Sequence, residues 1–207
     1  MLILRPYRLI VFTRYPEEGR VKTRLIPALG PKGAAALHER MVRHTLAEAD
    51  EARRDCGIEL EVRVDGAGAS AMAQVFGPRQ YVPQGEGDLG ARLDRATTDA
   101  FDDACGGAVL IGTDCPALGS RHIVEAIRLL SRLDVVIGPA ADGGYYLIGM
   151  VRRHNALFRG IEWGTQRVLE ATVQTARRLG LAVALLEELS DVDRQEDLHW
   201  CDVLKNR

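Results

Sequence analysis

Three features of the sequence point to a single-domain, three-layer α/β/α fold built on a mostly parallel central sheet. Short apolar runs alternate with amphipathic stretches of helical length. Two of the runs, AVLIG at 108–112 and DVVIG at 134–138, are almost unbroken, as in strands covered on both faces. The chain has 207 residues, which at about 150 per domain fits one compact unit. No linker, repeat or low-complexity segment divides it, so 1–207 is read as one domain.

The elements follow in order. RLIVFT at 8–13 is a buried first strand. At 31–54, Leu37, Met41, Thr45 and Ala49 recur at four-residue spacing behind Pro31, a residue suited to a first helical turn. At 58–64, apolar residues alternate with Glu59, Glu61 and Arg63, a one-sided pattern that suits a sheet edge. A glycine-rich turn at 65–68, a short helix at 71–76 and a brief strand at 80–83 lead to a helix at 88–104. After the strand at 108–112, Ser120 is placed to cap the next helix. Strands at 134–138 and 145–151 follow, then a helix at 165–179 that stops at Gly180. A strand at 181–186 and a closing helix at 194–204 complete the chain.

Charge and composition exclude several classes. Lys and Arg total 27 against 29 for Asp and Glu, so there is no basic surplus to draw nucleic acid. Hydrophobic residues at 46% argue against disorder. Cys56, Cys105, Cys115 and Cys201 show neither a C-x-x-C pair nor zinc-finger spacing, and read as free thiols of a reducing compartment. Residues 1–6 lack signal-peptide features, and no apolar run approaches the ~18 residues of a membrane span. A cytoplasmic protein without a membrane partner is expected.

Open α/β sheets bind ligands beyond the carboxyl ends of their strands, which directs attention to three segments. The first is 13–24, TRYPEEGRVKTR. Arg14, Arg20, Lys22 and Arg24 fall within 11 residues, with Thr13 and Thr23 hydroxyls and the flexible Gly19. Cations on such a loop suit di- or triphosphate oxygens, although Glu17 and Glu18 also allow a plain solvated loop. The segment is neither a Walker loop nor a dinucleotide fingerprint. The second is GTDCPAL at 112–118. Asp114 emerges there from a buried strand and could ligate Mg²⁺, or could bond to its own loop's amides. The third is GPAADGGYY at 138–146. Asp142 reads as a general base, a second acidic ligand or part of a plain D-G turn. Gly143 and Gly144 allow positive φ or close approach of a ligand.

Two further places are ambiguous. Asp193 with Glu196 three residues on resembles a helix capping box. Trp163 could stack on a sugar or sit half-buried in the core. The histidines show no metal spacing, and no nucleophile is assigned.

The runs FTRYPEEGRVKTRL, GEGDLGARL, GTDCPAL, GPAADGGYYLIG, IEWGT and DVDRQEDL, in this order, resemble the arsenosugar-biosynthesis-type glycosyltransferases. These are small bacterial proteins earlier grouped as a domain of unknown function. The resemblance spans 9–198 and implies the GT-A fold of nucleotide-diphospho-sugar transferases. It implies Asp114 as a Mg²⁺ or Mn²⁺ ligand and Thr13, Arg14, Gly19, Lys22, Thr23 and Arg24 as the nucleotide-binding loop. It places Asp193 as a second metal ligand, although Arg194 stands where Thr is usual in that motif. Glycosyl transfer from a nucleotide sugar to a small-molecule acceptor would then use Asp142 as base. Gly143 and Gly144 would lie against the donor sugar, with Trp163 and Tyr145 or Tyr146 shaping the acceptor pocket. Nucleotidyl transfer with release of pyrophosphate is the alternative. Against it, 13–24 holds only Gly19 where related nucleotidyltransferases carry several glycines. A nucleotide-binding protein without catalysis is the third reading. Nothing in these residues speaks for an arsenical substrate.

Overall fold

The computed structural model describes residues 5–205. Strands β1 (Tyr7–Arg14), β2 (Glu59–Asp65), β3 (Tyr81–Pro83), β4 (Gly107–Ile111), β5 (Val135–Pro139), β6 (Tyr145–Met150) and β7 (Val183–Leu185) form one sheet. Their order is β3-β2-β1-β4-β6-β5-β7, and every pairing is parallel except the two made by β6. Helices α1 (Ile26–Cys56), α2 (Ala69–Phe76) and α4 (Ser120–Leu130) cover one face, and α3 (Leu89–Asp102) and α5 (Val168–Arg178) the other. The expected α/β/α sandwich is therefore found.

Strand β1 shows how the pattern makes the layers. Successive strand side chains alternate between faces. Leu9 and Val11 enter one core with Val42, Leu46 and Ile123, while Ile10 enters the other with Leu93, Leu110 and Ala176. Burying such side chains supplies the main drive to fold, about 1.5–3 kcal/mol for each large one.

Several local expectations need correction. Strand β2 is not an edge: it lies between β1 and the three-residue β3. Glu61 and Arg63, which looked like a solvated face, are each only 2% exposed and pair with each other. Helix α1 begins at Ile26, before Pro31, but Gly30 (φ 70°, ψ 165°) breaks it and Pro31 starts its long part. Helix α5 begins at Val168 rather than at 165, and the closing segment Gln195–Lys205 is 3-10 rather than α-helical. Ser120 does not cap α4. Gly119 occupies the cap position, and the orphan amides go to His122 and Glu48: Gly119 N–H donates to His122 Nδ1 (2.9 Å) and Ser120 N–H to Glu48 Oε2 (2.7 Å). No helix among the described residues is long and apolar enough to cross a membrane.

Candidate active site

The strand order reverses between β1 and β4, because the chain runs outward from β1 through β2 to β3 and returns to β4 on the other side. A crevice at the carboxyl ends of these two strands is the place where doubly wound sheets bind ligands. At its floor the buried hydroxyls of Thr13 and Thr113 meet at 3.4 Å.

Lys22 forms the centre of the site. Its ammonium lies 2.5 Å from Asp114 Oδ1 and 3.1 Å from Asp193 Oδ1, and donates to the Val192 carbonyl at 2.6 Å. Arg24 adds a second contact to Asp193, at 3.3 Å. The backbone joins the same segments, since Val192 N–H donates to the Asp114 carbonyl (2.9 Å). Three stretches far apart in sequence thus meet on one side chain. Lys22 is buried at 5% side-chain exposure, whereas Asp114 and Asp193 remain 53% and 38% open to solvent. Burial opposes the charge of Lys22, but Asp114 and Asp193 offset it and raise the ammonium above its ordinary pKa. Crowding likewise opposes the charge of Asp114, and the Lys22 ammonium holds that carboxyl below the usual range.

Helix α1 supports both loops from beneath. His38 Nε2 is 3.1 Å from the Arg14 carbonyl, and His44 Nε2 is 3.2 Å from the Leu118 carbonyl. Burial lowers the pKa of His38, which favours a neutral ring that bonds backbone. Arg14 itself is exposed and approaches Asp65 at 3.7 Å. Gly19 has φ +78° at the loop's bend, and Thr23 is an exposed first residue of a short 3-10 turn. Of the loop expected to bind phosphate, Lys22 and Arg24 reach the Asp193 carboxylate, Arg14 turns to Asp65, and Thr13 is buried.

The third segment is a hairpin between β5 and β6. Asp142 is exposed, and its Oδ1 accepts the Gly144 amide at 2.8 Å, closing a side-chain turn. The close approach at Gly143 is made by protein rather than ligand. A Cβ there would stand 2.3 Å from the Gln166 carbonyl oxygen, at φ +88°. Gly144 has its amide committed to Asp142. Tyr145 and Trp163 pack edge-to-face at 6.2 Å against the α3/α5 core, and Trp163 lies against Gly90 of α3. The glycine pair, Tyr145 and Trp163 thus have structural partners that account for them. Next to the hairpin, Gly143, Leu169, Val173 and Leu185 line a cavity of about 330 Å³.

Asp193 is not the cap of the closing helix. Instead Asp197, in the first turn of that segment, reaches back, its Oδ2 accepting the amides of Asp193 (3.0 Å) and Arg194 (2.7 Å). This leaves the Asp193 carboxylate for Lys22 and Arg24. One residue was missed in the sequence. Asp191 flanks the buried Val192 on the other side, and burial with the charges of Asp142 and Asp193 raises its carboxyl to about 6. The signal was available as D-x-D around one apolar residue, a spacing that puts both carboxylates on the same side of an extended chain.

Among the described residues, no group of three or more His, Cys, Asp or Glu side chains is arranged to hold a metal ion. A Mg²⁺ site needs only one or two carboxylates when substrate phosphates complete it. Asp114 and Asp193 meet that condition, since one cation already bonds both of them.

Residues 45–165 match the family model described as an uncharacterized protein conserved in bacteria (DUF2064). The chain belongs to this family. It is 31% identical to a candidate nucleotide-diphospho-sugar transferase from Desulfovibrio desulfuricans G20, covering 96% of each chain with a TM-score of 0.84. The family's fold is thus that of nucleotide-diphospho-sugar transferases. More distant likenesses share the fold alone. The 4-diphosphocytidyl-2C-methyl-D-erythritol synthase of Anaerococcus prevotii DSM 20548 is 11% identical, with TM-score 0.65 over 98% of this chain and 99% of that one. Glucosyl-3-phosphoglycerate synthase of Mycobacterium tuberculosis, solved with Mn²⁺, uridine diphosphate and phosphoglyceric acid, is 12% identical. Its TM-score is 0.60 over 96% of this chain and 75% of that one. No curated protein matches the chain.

Proposed function

We propose that this protein is a metal-dependent glycosyltransferase that moves a sugar from a nucleoside diphosphate to a small-molecule acceptor. The observation that carries the reading is the meeting of Lys22, Asp114 and Asp193 at the switch point of the sheet. The likeness to the Desulfovibrio protein supports the donor class, and the Mn²⁺ and uridine diphosphate of the Mycobacterium synthase support the metal.

In this reading Arg14, Lys22 and Arg24 bind the diphosphate, with Gly19 and Thr23 shaping the loop that carries them. These cations stabilise negative charge as it develops on the leaving group. Asp114 would hold Mg²⁺ or Mn²⁺, with Asp193 beside it. When bound, the metal supplies Lewis-acid stabilisation of the departing diphosphate. The bond from the anomeric carbon to the phosphate oxygen breaks, and its electron pair leaves with the nucleoside diphosphate. An acceptor oxygen bonds to the same carbon and gives its proton to Asp142.

The test is a thermal-shift screen of nucleoside diphosphates, triphosphates and nucleotide sugars, each with and without Mg²⁺ or Mn²⁺. A ligand that binds only the folded chain raises its melting temperature. The expected hit is one nucleotide sugar together with its diphosphate, dependent on metal. A shift confined to one triphosphate would reassign the site to nucleotidyl transfer, and no shift at all would remove the nucleotide reading.

A further inference from the structure

The acidic pair of the site is already neutralised, and by the chain itself. An ammonium has three N–H donors, and Lys22 spends them on Asp114 Oδ1, Asp193 Oδ1 and the Val192 carbonyl. Arg24 engages Asp193 Oδ2, so both oxygens of that carboxylate are occupied by cations. Lys22 also holds a left-handed backbone conformation (φ 47°, ψ 43°), uncommon for a residue with a side chain. Its buried bonds keep the loop in that geometry, because nothing else about a lysine favours it.

We propose that Lys22 is the resident cation of the Asp114–Asp193 pair, and that a divalent metal binds there only when nucleotide phosphates draw the lysine away. The proposal rests on the nucleotide-dependent reading of this site. A divalent ion shared by the two carboxylates would stand against the ammonium that now bonds both, so the two cations exclude each other. Phosphate oxygens offer Lys22 an equivalent partner: they release Asp114 and complete the coordination of a hard cation. Metal and nucleotide therefore bind with positive coupling, and by linkage each strengthens the other by the same factor.

The experiment is a Mn²⁺ titration of the full chain, followed by electron paramagnetic resonance and water-proton relaxation, without nucleotide. Wild type is expected to leave the ion free at concentrations where Lys22→Met binds one Mn²⁺ per chain, and Lys22→Met/Asp114→Asn is expected to lose it again. Circular dichroism establishes that the variants are folded. With a panel of the common nucleoside diphosphates, wild type should gain Mn²⁺ affinity by about 5–150-fold, the usual range of such coupling. That arm stands even where Lys22→Met does not fold. Nucleotide-free wild type that binds Mn²⁺ as tightly as with nucleotide, and loses it on Asp114→Asn, overturns the proposal. So does a folded Lys22→Met that binds no Mn²⁺. If no nucleotide binds, the proposed function fails, while the comparison of Lys22→Met with wild type still decides whether Lys22 fills the cation site.

Discussion

Two clusters of charge that share only strand β1 are built in opposite ways. One runs from Arg8 of β1 along β2 to Arg63, beneath α3. Arg8 bonds Glu59 (2.9 Å) and Asp103 (2.8 Å), while Arg63 bonds Glu61 and reaches Asp99 at 2.8 Å. Its centre is sealed, with Arg63 and Glu61 each 3% exposed in their side chains. The other cluster stands beyond the strand ends, where one lysine serves two half-open carboxylates and Asp191 lies beside Asp142 with its carboxyl raised. Guanidinium forks pair every carboxylate of the first cluster, including the half-exposed Glu59, Asp99 and Asp103 at its rim. The second keeps like charges together and open to solvent, which costs stability and leaves groups that a substrate can satisfy. Charge that holds the fold and charge that awaits a ligand are told apart by closure, not by the number of ionic residues.

The largest expected effect breaks the closed cluster. Arg63→Met leaves the buried Glu61 with only the more distant Arg8 guanidinium at 3.7 Å, and losing one partner of a buried pair costs about 3–5 kcal/mol. Urea unfolding should show that loss, while the protein that remains folded binds nucleotide as wild type does. A loss under about 1 kcal/mol, the worth of a surface pair, would mean that the cluster is not sealed.

Asp114→Asn breaks the open cluster in the opposite sense. Turnover of the proposed glycosyl transfer should fall by at least about 10²-fold, the scale of losing one electrostatic stabiliser in a site. The melting temperature should fall modestly, because the buried Lys22 ammonium keeps Asp193 and the Val192 carbonyl but loses its shortest ion pair. Near-normal turnover would remove Asp114 from the mechanism.

The same contrast explains what the sequence could and could not reveal. Apolar runs such as AVLIG became β4 because continuous hydrophobicity has one meaning in a sheet covered on both faces. The alternation at 58–64 misled because Glu61 and Arg63 carry the sequence signature of a wet face, and only partners from α3 and β1 make them buried. Those partners lie 36 and 53 residues away, beyond the reach of any local pattern. The segments after β1 and β4 could be singled out because the switch-point rule depends on element order alone. That Lys22, Asp114 and Asp193 meet depends on long-range docking, which spacing does not encode. Asp142, Tyr145 and Trp163 drew attention by residue type, yet a turn and an edge-to-face pair account for much of their placement.

A third prediction concerns the cost of the open cluster. Asp191 has its carboxyl raised from 3.8 to about 6, so the folded chain binds an extra proton between those values. Stability therefore falls as pH rises through that window, and the deficit persists above it. Asp191→Asn removes the charge and should stabilise the chain at pH 8 by about 1–3 kcal/mol, with no gain at pH 4. Denaturant midpoints at the two pH values measure this. An equal gain at both would trace the effect to packing instead of charge.

The smallest effect tests where the open cluster ends. The motif GEGDLGARL spans the loop after β3 and the first turn of α3, and its Asp88 is a further exposed carboxylate. Here the structure supplies a complete local account. Asp88 is the N-cap of α3, its Oδ1 accepting the Ala91 amide at 2.8 Å. Arg95 grips the same loop through the carbonyls of Gln84 (2.6 Å) and Glu86 (2.9 Å). A carboxylate whose lone pair serves a helix end belongs with the closed kind of charge, even on the surface. Asp88→Ala should therefore lower stability by about 1 kcal/mol through the lost cap. Nucleotide affinity should be unchanged, as calorimetry on the folded variant would show. A clear loss of affinity would extend the site across this loop and make closure an insufficient criterion for telling the two kinds of charge apart.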